Sequence, residues 1–112
     1  MKLFSGLKKI RDFEKQQLPF LKSVFDFDIV IAIGYAEEQG QPLTLKQLFL
    51  LNITARTTVL RKLAPLIAQG IVIRRKHLSD HRASFLLISP SMVKLLSKYG
   101  CTLTAISASH FK

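Results

Sequence analysis

The sequence predicts a mainly α-helical fold with one small β-hairpin (an α+β protein), in the order α-α-α-α-β-β-α, which is a winged helix-turn-helix. Three observations predict it. Two short helical segments are separated by a turn at Asn52. After Gly70 the hydrophobic period changes from about 3.6 to about 2. Two β-rich runs joined by a short polar segment then follow, and Pro90 opens a new helical pattern.

Length and composition indicate one domain with an interface beyond its own core. The chain has 112 residues, of which 48% are hydrophobic, and this is a high share for a monomer of that size. We expect a single domain over residues 1–112. Within it, N-terminal helices at 1–40 would serve dimerisation, 43–89 would form the helix-turn-helix and wing, and 90–112 a C-terminal helix and tail.

The first two helices are predicted from helical apolar spacing and from their end signals. The first covers residues 2–18 and is stopped by Pro19. The second begins near Ser23, whose hydroxyl can cap the helix with Asp26 as reciprocal partner. Gly40 ends the second helix.

The helix-turn-helix itself begins with a second capping pattern. Thr44 opens a Thr-x-x-Gln sequence, which predicts a short helix over 44–51. Asn52 marks the turn. Thr54 is expected to cap the next helix, over 55–69, which Gly70 closes.

The remaining chain is predicted to form the wing and one further helix. The strands are residues 71–77 and 84–89, joined by a polar loop at 78–82. A helix of about 91–98 follows. The tail from Cys101 to Lys112 is expected to be either a helix or a loose arm.

Four segments carry a resemblance to a known family: LTLKQL at 43–48, TTVLRKL at 57–63, GIVIRR at 70–75 and DHRA at 80–83. In this order and at these spacings, the stretch from Leu43 to Ser89 resembles the MarR-type winged helix-turn-helix transcriptional regulators. The resemblance implies a homodimer that binds double-stranded DNA sequence-specifically, with the recognition helix in the major groove and the wing in the minor groove. It implies no enzymatic activity. Binding of a small-molecule effector stays an open alternative that no residue pattern supports.

The recognition helix is expected to present a polar face to DNA. At 100° per residue, Leu63 lies at the centre of an apolar stripe that also contains Val59, Leu60, Leu66 and Ile67. The opposite face carries threonines, one arginine and Pro65, and Lys62 flanks it. Arg56 falls toward the stripe by angle, with the alternative that at the first turn it swings out to the DNA backbone. Arginine can pair with guanine through two hydrogen bonds, and threonine can bond to base edges or phosphates. The DNA-binding residues predicted on this helix are Thr54, Arg56, Thr57, Thr58, Arg61 and Lys62.

The wing carries the second group of expected DNA contacts, namely Arg74, Arg75, Lys76, His81 and Arg82. By resemblance to the MarR type, Arg82 would enter the minor groove and Asp80 would hold its guanidinium. Two simpler readings stay open. The Asp80–Arg82 pair can be a plain surface ion pair, and the run of cations on the first strand can protect a sheet edge from aggregation.

The charge distribution favours a polyanionic partner. Residues 1–38 carry six positive and six negative side chains, whereas residues 39–112 carry eleven positive ones and only Asp80 as a negative one. The whole excess of +10 therefore belongs to the second part of the chain. The alternative from another class is a winged helix that docks an acidic protein without reading DNA.

Catalytic, metal and cofactor chemistry is not expected. The three histidines His77, His81 and His110 have no matching cysteine or carboxylate cluster, and no Gly-rich phosphate loop is present. The single cysteine, Cys101, excludes an intrachain disulfide and is interpreted as a passive core or interface thiol. No apolar run is long enough to cross a bilayer, so we expect a cytoplasmic protein without membrane contact.

Overall fold

The computed structural model describes residues 2–76 and 84–110, with side chains described up to residue 105. In these residues the order of elements is α-α-α-α-β-β-α, which confirms the predicted fold class. The elements are α1 (Leu3–Gln17), α2 (Val24–Glu38), α3 (Leu45–Leu50), α4 (Arg56–Ala68), β1 (Val72–Lys76), β2 (Ser84–Ile88) and α5 (Pro90–His110).

The chain divides into two compact units. The helical unit combines Met1–Leu21 with Pro90–Lys112 and so contains α1 and α5. The winged-helix unit is Lys22–Ser89 and contains α2, α3, α4 and the hairpin. The expectation of one domain over the whole chain stays a prediction.

Both predicted capping boxes are present. At the start of α2, the Ser23 amide donates to Oδ2 of Asp26 at 2.9 Å, and the Asp26 amide donates back to the Ser23 hydroxyl at 3.4 Å. At the start of α3, the Thr44 amide donates to Oε1 of Gln47 at 2.9 Å, and the reverse bond is 3.2 Å. Two backbone donors at each helix start are thereby satisfied, which fixes where both helices begin.

The predicted cap of α4 is wrong by one position. The residue at the N-cap is Ala55, and the helix begins at Arg56. The preceding turn passes through Asn52 in the left-handed region, with φ 53°. This turn places Thr54 one residue too early for its hydroxyl to cap the helix. The first helical bond is the backbone bond from the Val59 amide to the Ala55 carbonyl, at 2.9 Å.

The predicted end of α5 at residues 98–100 is also wrong, because the helix continues to His110. A glycine in a helix interior costs only about 1 kcal/mol relative to alanine, so Gly100 need not end it. The hydroxyls of Thr102 and Thr104 donate to the carbonyls of Lys98 and Gly100, at 3.1 and 2.9 Å. The tail is therefore helical rather than a loose arm through His110.

The hairpin packs one face into the core of the winged-helix unit. Strands β1 and β2 are antiparallel, with Val72 opposite Ile88 and Arg74 opposite Leu86. Leu86 and Ile88 are buried, so they are the inward residues of β2. The core of this unit is formed by Ile29, Val30, Ile33, Leu48, Val59, Leu63, Leu66, Val72 and Leu86.

The helical unit is held by an aromatic contact between its two helices. The rings of Phe13 on α1 and Tyr99 on α5 lie 5.5 Å apart between centroids. The Tyr99 hydroxyl donates to Oε2 of Glu14. Burial raises the pKa of Tyr99 to about 12, and the hydrogen bond and negative charge of Glu14 add to the effect. Among the described helices, none is both long and apolar enough to cross a membrane.

Candidate nucleic-acid interface

Helix α4 separates a buried apolar face from an exposed polar face. Val59, Leu63 and Leu66 are buried in the core, as the helical spacing predicts. Leu60, which was expected in the same stripe, is 44% exposed because it lies at the edge of the stripe. On the opposite face Thr57, Arg61 and Pro65 are exposed and Thr58 is half-buried. Thr54 precedes the helix and is half-buried as well.

Arg61 is the cation at the centre of this exposed face. It follows Thr57 by four residues, so the two side chains are neighbours on the helix surface. Arg61 has no hydrogen bond or ion pair with the part of the chain that the structure describes. Within the described part of the chain, nothing occupies the five donors of its guanidinium.

Pro65 follows Arg61 on the same face without ending the helix. Helix α4 runs through this proline to Ala68. A proline cannot donate a hydrogen bond, so the carbonyl of Arg61 loses its helical partner. Because the position is exposed, water can satisfy that carbonyl. The face of α4 that carries Arg61 is therefore a solvated one.

Lys62 faces the protein rather than the solvent. Its ammonium group donates to the Ser23 hydroxyl at 3.0 Å and lies 3.8 Å from Oδ1 of Asp26. The Lys62 side chain is only 22% exposed. This residue joins α4 to the N-terminus of α2, an arrangement that the sequence pattern did not indicate.

Arg56 is held at the first turn of α4 by an aromatic ring. The central carbon of its guanidinium lies 4.8 Å from the centroid of the Phe49 ring, which belongs to α3. This distance is within the range of a cation–π interaction. Arg56 is exposed although it falls toward the apolar stripe by helical angle, because Phe49 holds its guanidinium at the end of the helix.

The first strand of the wing presents the other cations. Arg74, Arg75 and Lys76 are all exposed on β1. They pair in register with Leu86, Phe85 and Ser84 of β2, so Arg74 and Lys76 share one face of the strand and Arg75 lies on the other. The further wing residues of the prediction, Asp80, His81 and Arg82, lie outside the described residues, as does His77.

A short connection joins α4 to β1. Gly70 adopts a φ of 75°, a left-handed conformation that glycine takes at little cost. The Ile71 amide then donates to the Leu66 carbonyl at 2.9 Å. The structure thus places the exposed residues of α4 and the cations of β1 on consecutive elements of one compact unit.

Two residues that contact cations of α4 were not identified from the sequence. Phe49 was assigned no role, and Asp26 was assigned only a capping role. No local signal existed for the contact between Asp26 and Lys62, since the two residues are 36 positions apart. The contact between Phe49 and Arg56 joins two helices across a turn. Cys101 is exposed, so the interpretation of a core thiol is wrong, and the interface interpretation stays a prediction.

A groove lies beside α3 in the same unit, with a volume of about 530 Å³. It is lined by the link between α2 and α3, by Leu50 and Leu51, and by Phe85 of β2. The lining is mainly apolar and includes none of the basic residues of α4 or β1.

Comparison with solved structures identifies the fold. A complex of S. aureus MepR with DNA has a TM-score of 0.73 and 18% identity, covering 96% of this chain and 79% of that chain. The transcriptional regulator Tm0710 from Thermotoga maritima has a TM-score of 0.63 and 25% identity, covering 92% and 66%. A mutant MarR from E. coli complexed with operator DNA has a TM-score of 0.60 and 15% identity, covering 90% and 70%. No family model and no curated protein matches the sequence.

The architecture and the exposed cations define a winged helix-turn-helix protein. More particularly, the fold is that of the MarR-type transcriptional regulators, as the resemblance of the sequence predicts. The MarR-type regulators are not enzymes. The chain spans 66% of the length of the Thermotoga protein.

Proposed function

We propose that this protein is a transcriptional regulator that binds double-stranded DNA sequence-specifically. Helix α4 enters the major groove, and the hairpin reaches the adjacent minor groove. A homodimer reads two half-sites about one helical turn apart. Two of the structures with a similar fold are complexes with DNA, which supports this assignment.

The observation that carries the proposal is the exposed arginine at the centre of α4, Arg61, which has no hydrogen-bond or ion-pair partner among the described residues. Thr57 and Arg61 share the exposed face, and the opposite face of the helix is buried. A helix of this kind fits the major groove with its polar residues toward the base edges. Thr54 and Thr58, which are half-buried, stand beside that face and are assigned to phosphates or sugars.

The cations of β1 supply the second contact. Arg74, Arg75 and Lys76 are exposed on the strand that leads to the tip of the wing. A narrow minor groove concentrates negative potential and attracts arginine. Arg82 and His81, with Asp80 supporting Arg82, are assigned to the minor groove on the resemblance to the MarR type.

The helical unit is the proposed dimerisation surface. Leu3, Phe4 and Leu7 of α1 are exposed, and Phe4 is 79% exposed. Val93 and Leu103 on α5 are exposed as well. Large apolar side chains at helical spacing on the surface mark a site of protein association.

Selection of duplexes from a random pool, followed by titration of the selected duplex, tests the proposal. We expect one preferred sequence with two related half-sites, and an affinity that falls steeply with salt because each neutralised phosphate releases counterions. Arg61→Gln should relax the sequence preference. Lys9→Gln removes the same charge from an exposed position of α1 and is the matched control.

A pool that stays random after selection, together with equal weakening of binding by Arg61→Gln and Lys9→Gln, would show that the chain does not read sequence through α4. Binding to an acidic protein with no affinity for duplex DNA would favour the alternative, a winged helix that serves as a protein-interaction module.

A further inference from the structure

The charge of Arg56 does not stabilise helix α4 through the helix dipole. Arg56 is the first residue of the helix, where the backbone dipole is positive and favours an acidic side chain. The first turn of α4 contains no acidic residue, and the N-cap Ala55 has no side chain that could accept a hydrogen bond. A cation at this position is therefore unfavourable for the helix itself. The placement indicates that the charge serves something else.

The ring of Phe49 fixes the position of that charge. With 4.8 Å between the guanidinium carbon and the ring centroid, the guanidinium is close enough to the ring for a cation–π contact. Phe49 is half-buried on α3 and is therefore anchored, whereas Arg56 is exposed. An arginine held in this way has lost little of its hydrogen-bonding capacity, because its five donors lie at the edge of the guanidinium plane. The flexible side chain is thus ordered before any ligand binds.

We propose that Phe49 is a positioning residue that orders Arg56 for pairing with one guanine in the major groove. This inference rests on the proposed function. Residues at the N-terminal end of a recognition helix are the ones that reach base edges. A guanine offers two acceptors, O6 and N7, that match the arginine fork.

The contact favours a guanine over a phosphate. A phosphate can be bound by a mobile point charge, and lysine would serve it as well as arginine. Pairing with a guanine requires the guanidinium in a defined position. Phe49 holds it in a defined position before DNA binds, so less side-chain entropy is lost when the complex forms. Arg61 has no comparable support among the described residues. The two arginines are therefore expected to read different positions of one half-site.

The experiment compares Phe49→Leu, Phe49→Tyr, Arg56→Ala and the double variant Phe49→Leu/Arg56→Ala, each as the full chain. The probe is the duplex selected by the wild-type chain, with each guanine replaced in turn by 7-deazaguanine, which lacks the N7 acceptor. For the wild type, one replacement per half-site, distinct from the one that Arg61 reads, should weaken binding by about tenfold. Arg56→Ala should lose about the same affinity and become insensitive to that replacement.

Phe49→Leu should reduce affinity severalfold with an unchanged salt dependence, because the charge of Arg56 is retained. Phe49→Tyr keeps the aromatic face and should preserve binding. In the Arg56→Ala background, Phe49→Leu should have no further effect. If it weakens binding equally with and without Arg56, Phe49 has only a structural role, and the inference is overturned. If Arg56→Ala weakens binding but becomes insensitive to none of the 7-deazaguanine replacements, Arg56 contacts a phosphate. This result also overturns the inference.

A measurement without DNA separates this inference from the proposed function. The proton on Nε of Arg56 should be shifted upfield in the NMR spectrum by the Phe49 ring, and Phe49→Leu should abolish the shift. If the shift is missing, the positioning role is wrong even when DNA is bound. If the shift is present but the wild type selects no duplex sequence, the proposed function fails, and guanine reading fails with it.

Discussion

Lys62, on the helix that we assign to the major groove, is bound to Asp26, at the start of another helix. The distance is 3.8 Å between Nζ of Lys62 and Oδ1 of Asp26, and the Lys62 ammonium also donates to the Ser23 hydroxyl at 3.0 Å. Asp26 is buried and accepts further hydrogen bonds from the amides of Lys22 and Ser23, at 2.9 Å each. The same carboxylate therefore caps α2 and fixes α4 against it.

Removal of this carboxylate is expected to destabilise the winged-helix unit. Asp26→Ala loses the capping box and leaves the half-buried Lys62 ammonium without its anion. A lost cap costs about 1 kcal/mol and a lost charge-assisted bond adds about 1–2 kcal/mol, so the free energy of unfolding should fall by about 2–3 kcal/mol. Urea unfolding followed by circular dichroism measures it. Asp28→Ala removes an exposed acid from the same helix and should change stability by less than about 0.5 kcal/mol.

The same contact predicts that Lys62 contributes little to the salt dependence of DNA binding, although it was expected among the DNA-binding residues. Lys62→Met removes a cation that is already paired within the protein, so the slope of log affinity against log salt should change little. Lys76→Met removes an exposed lysine from β1, and the slope should fall by about 0.9 if that cation meets a phosphate. Fluorescence anisotropy over a series of salt concentrations checks both variants. Equal losses of slope would show that Lys62 leaves Asp26 when DNA is bound.

Local signals in the sequence were sufficient for most of the fold. The capping boxes at Ser23 and Thr44 each involve residues three positions apart, so the pattern contains both partners of each bond. The change of period after Gly70 likewise marks the hairpin, because strand alternation is a local property. The end of α5 was missed because Gly100 serves as a helix terminator only where it adopts a positive φ, which depends on the packing around it.

The candidate site was less predictable, since its contacts join residues of different helices. The helical angle of Lys62 places it beside the polar face, and only the position of α2 turns it toward Asp26. Arg56 falls toward the apolar stripe by the same rule, and only the ring of Phe49 determines where its guanidinium lies. Periodicity predicts the face that a residue occupies, whereas the partner on that face depends on how the helices pack.

Pro65 provides a test of the exposed face of α4. The helix continues through this position without its backbone hydrogen bond to the Arg61 carbonyl. Pro65→Ala restores the donor, so the free energy of unfolding should rise by about 1–2 kcal/mol, part of the gain being offset by the greater freedom of the unfolded chain. Thermal unfolding measures the change. A fall in stability would show that Pro65 itself is needed for packing against the core.

Tyr99 should give the helical unit a stability that depends on pH in the alkaline range. Burial and the Glu14 carboxylate raise the pKa of Tyr99 to about 12 in the folded chain, above its ordinary value of 10.0. The folded state thus holds the phenolic proton more tightly than the unfolded state does. The contribution of Tyr99 to the free energy of unfolding is complete below pH 10.0 and is lost as the pH rises through about 12.

An ultraviolet titration of tyrosinate absorbance measures this shift, with Tyr99→Phe identifying the component that belongs to Tyr99. Glu14→Gln removes the negative charge and should lower the midpoint of that component. A midpoint that does not move in Glu14→Gln would leave burial as the whole cause. The free energy of unfolding should differ less between pH 9 and pH 11 in the Tyr99→Phe variant than in the wild type.

Dimerisation through the helical unit is tested most directly at Phe4. This side chain is 79% exposed, and Leu3 and Leu7 are exposed beside it. Phe4→Lys places a charge in the proposed dimer interface, where it cannot be paired, so the chain should sediment as a monomer. Affinity for a duplex with two half-sites should then fall by about a hundredfold, while affinity for a single half-site should be retained, because only the gain from simultaneous binding is lost. Lys9→Ala changes the far side of α1 and should leave both properties intact. A Phe4→Lys chain that remains a dimer would place the interface elsewhere, and Val93 and Leu103 of α5 would be the next positions to substitute.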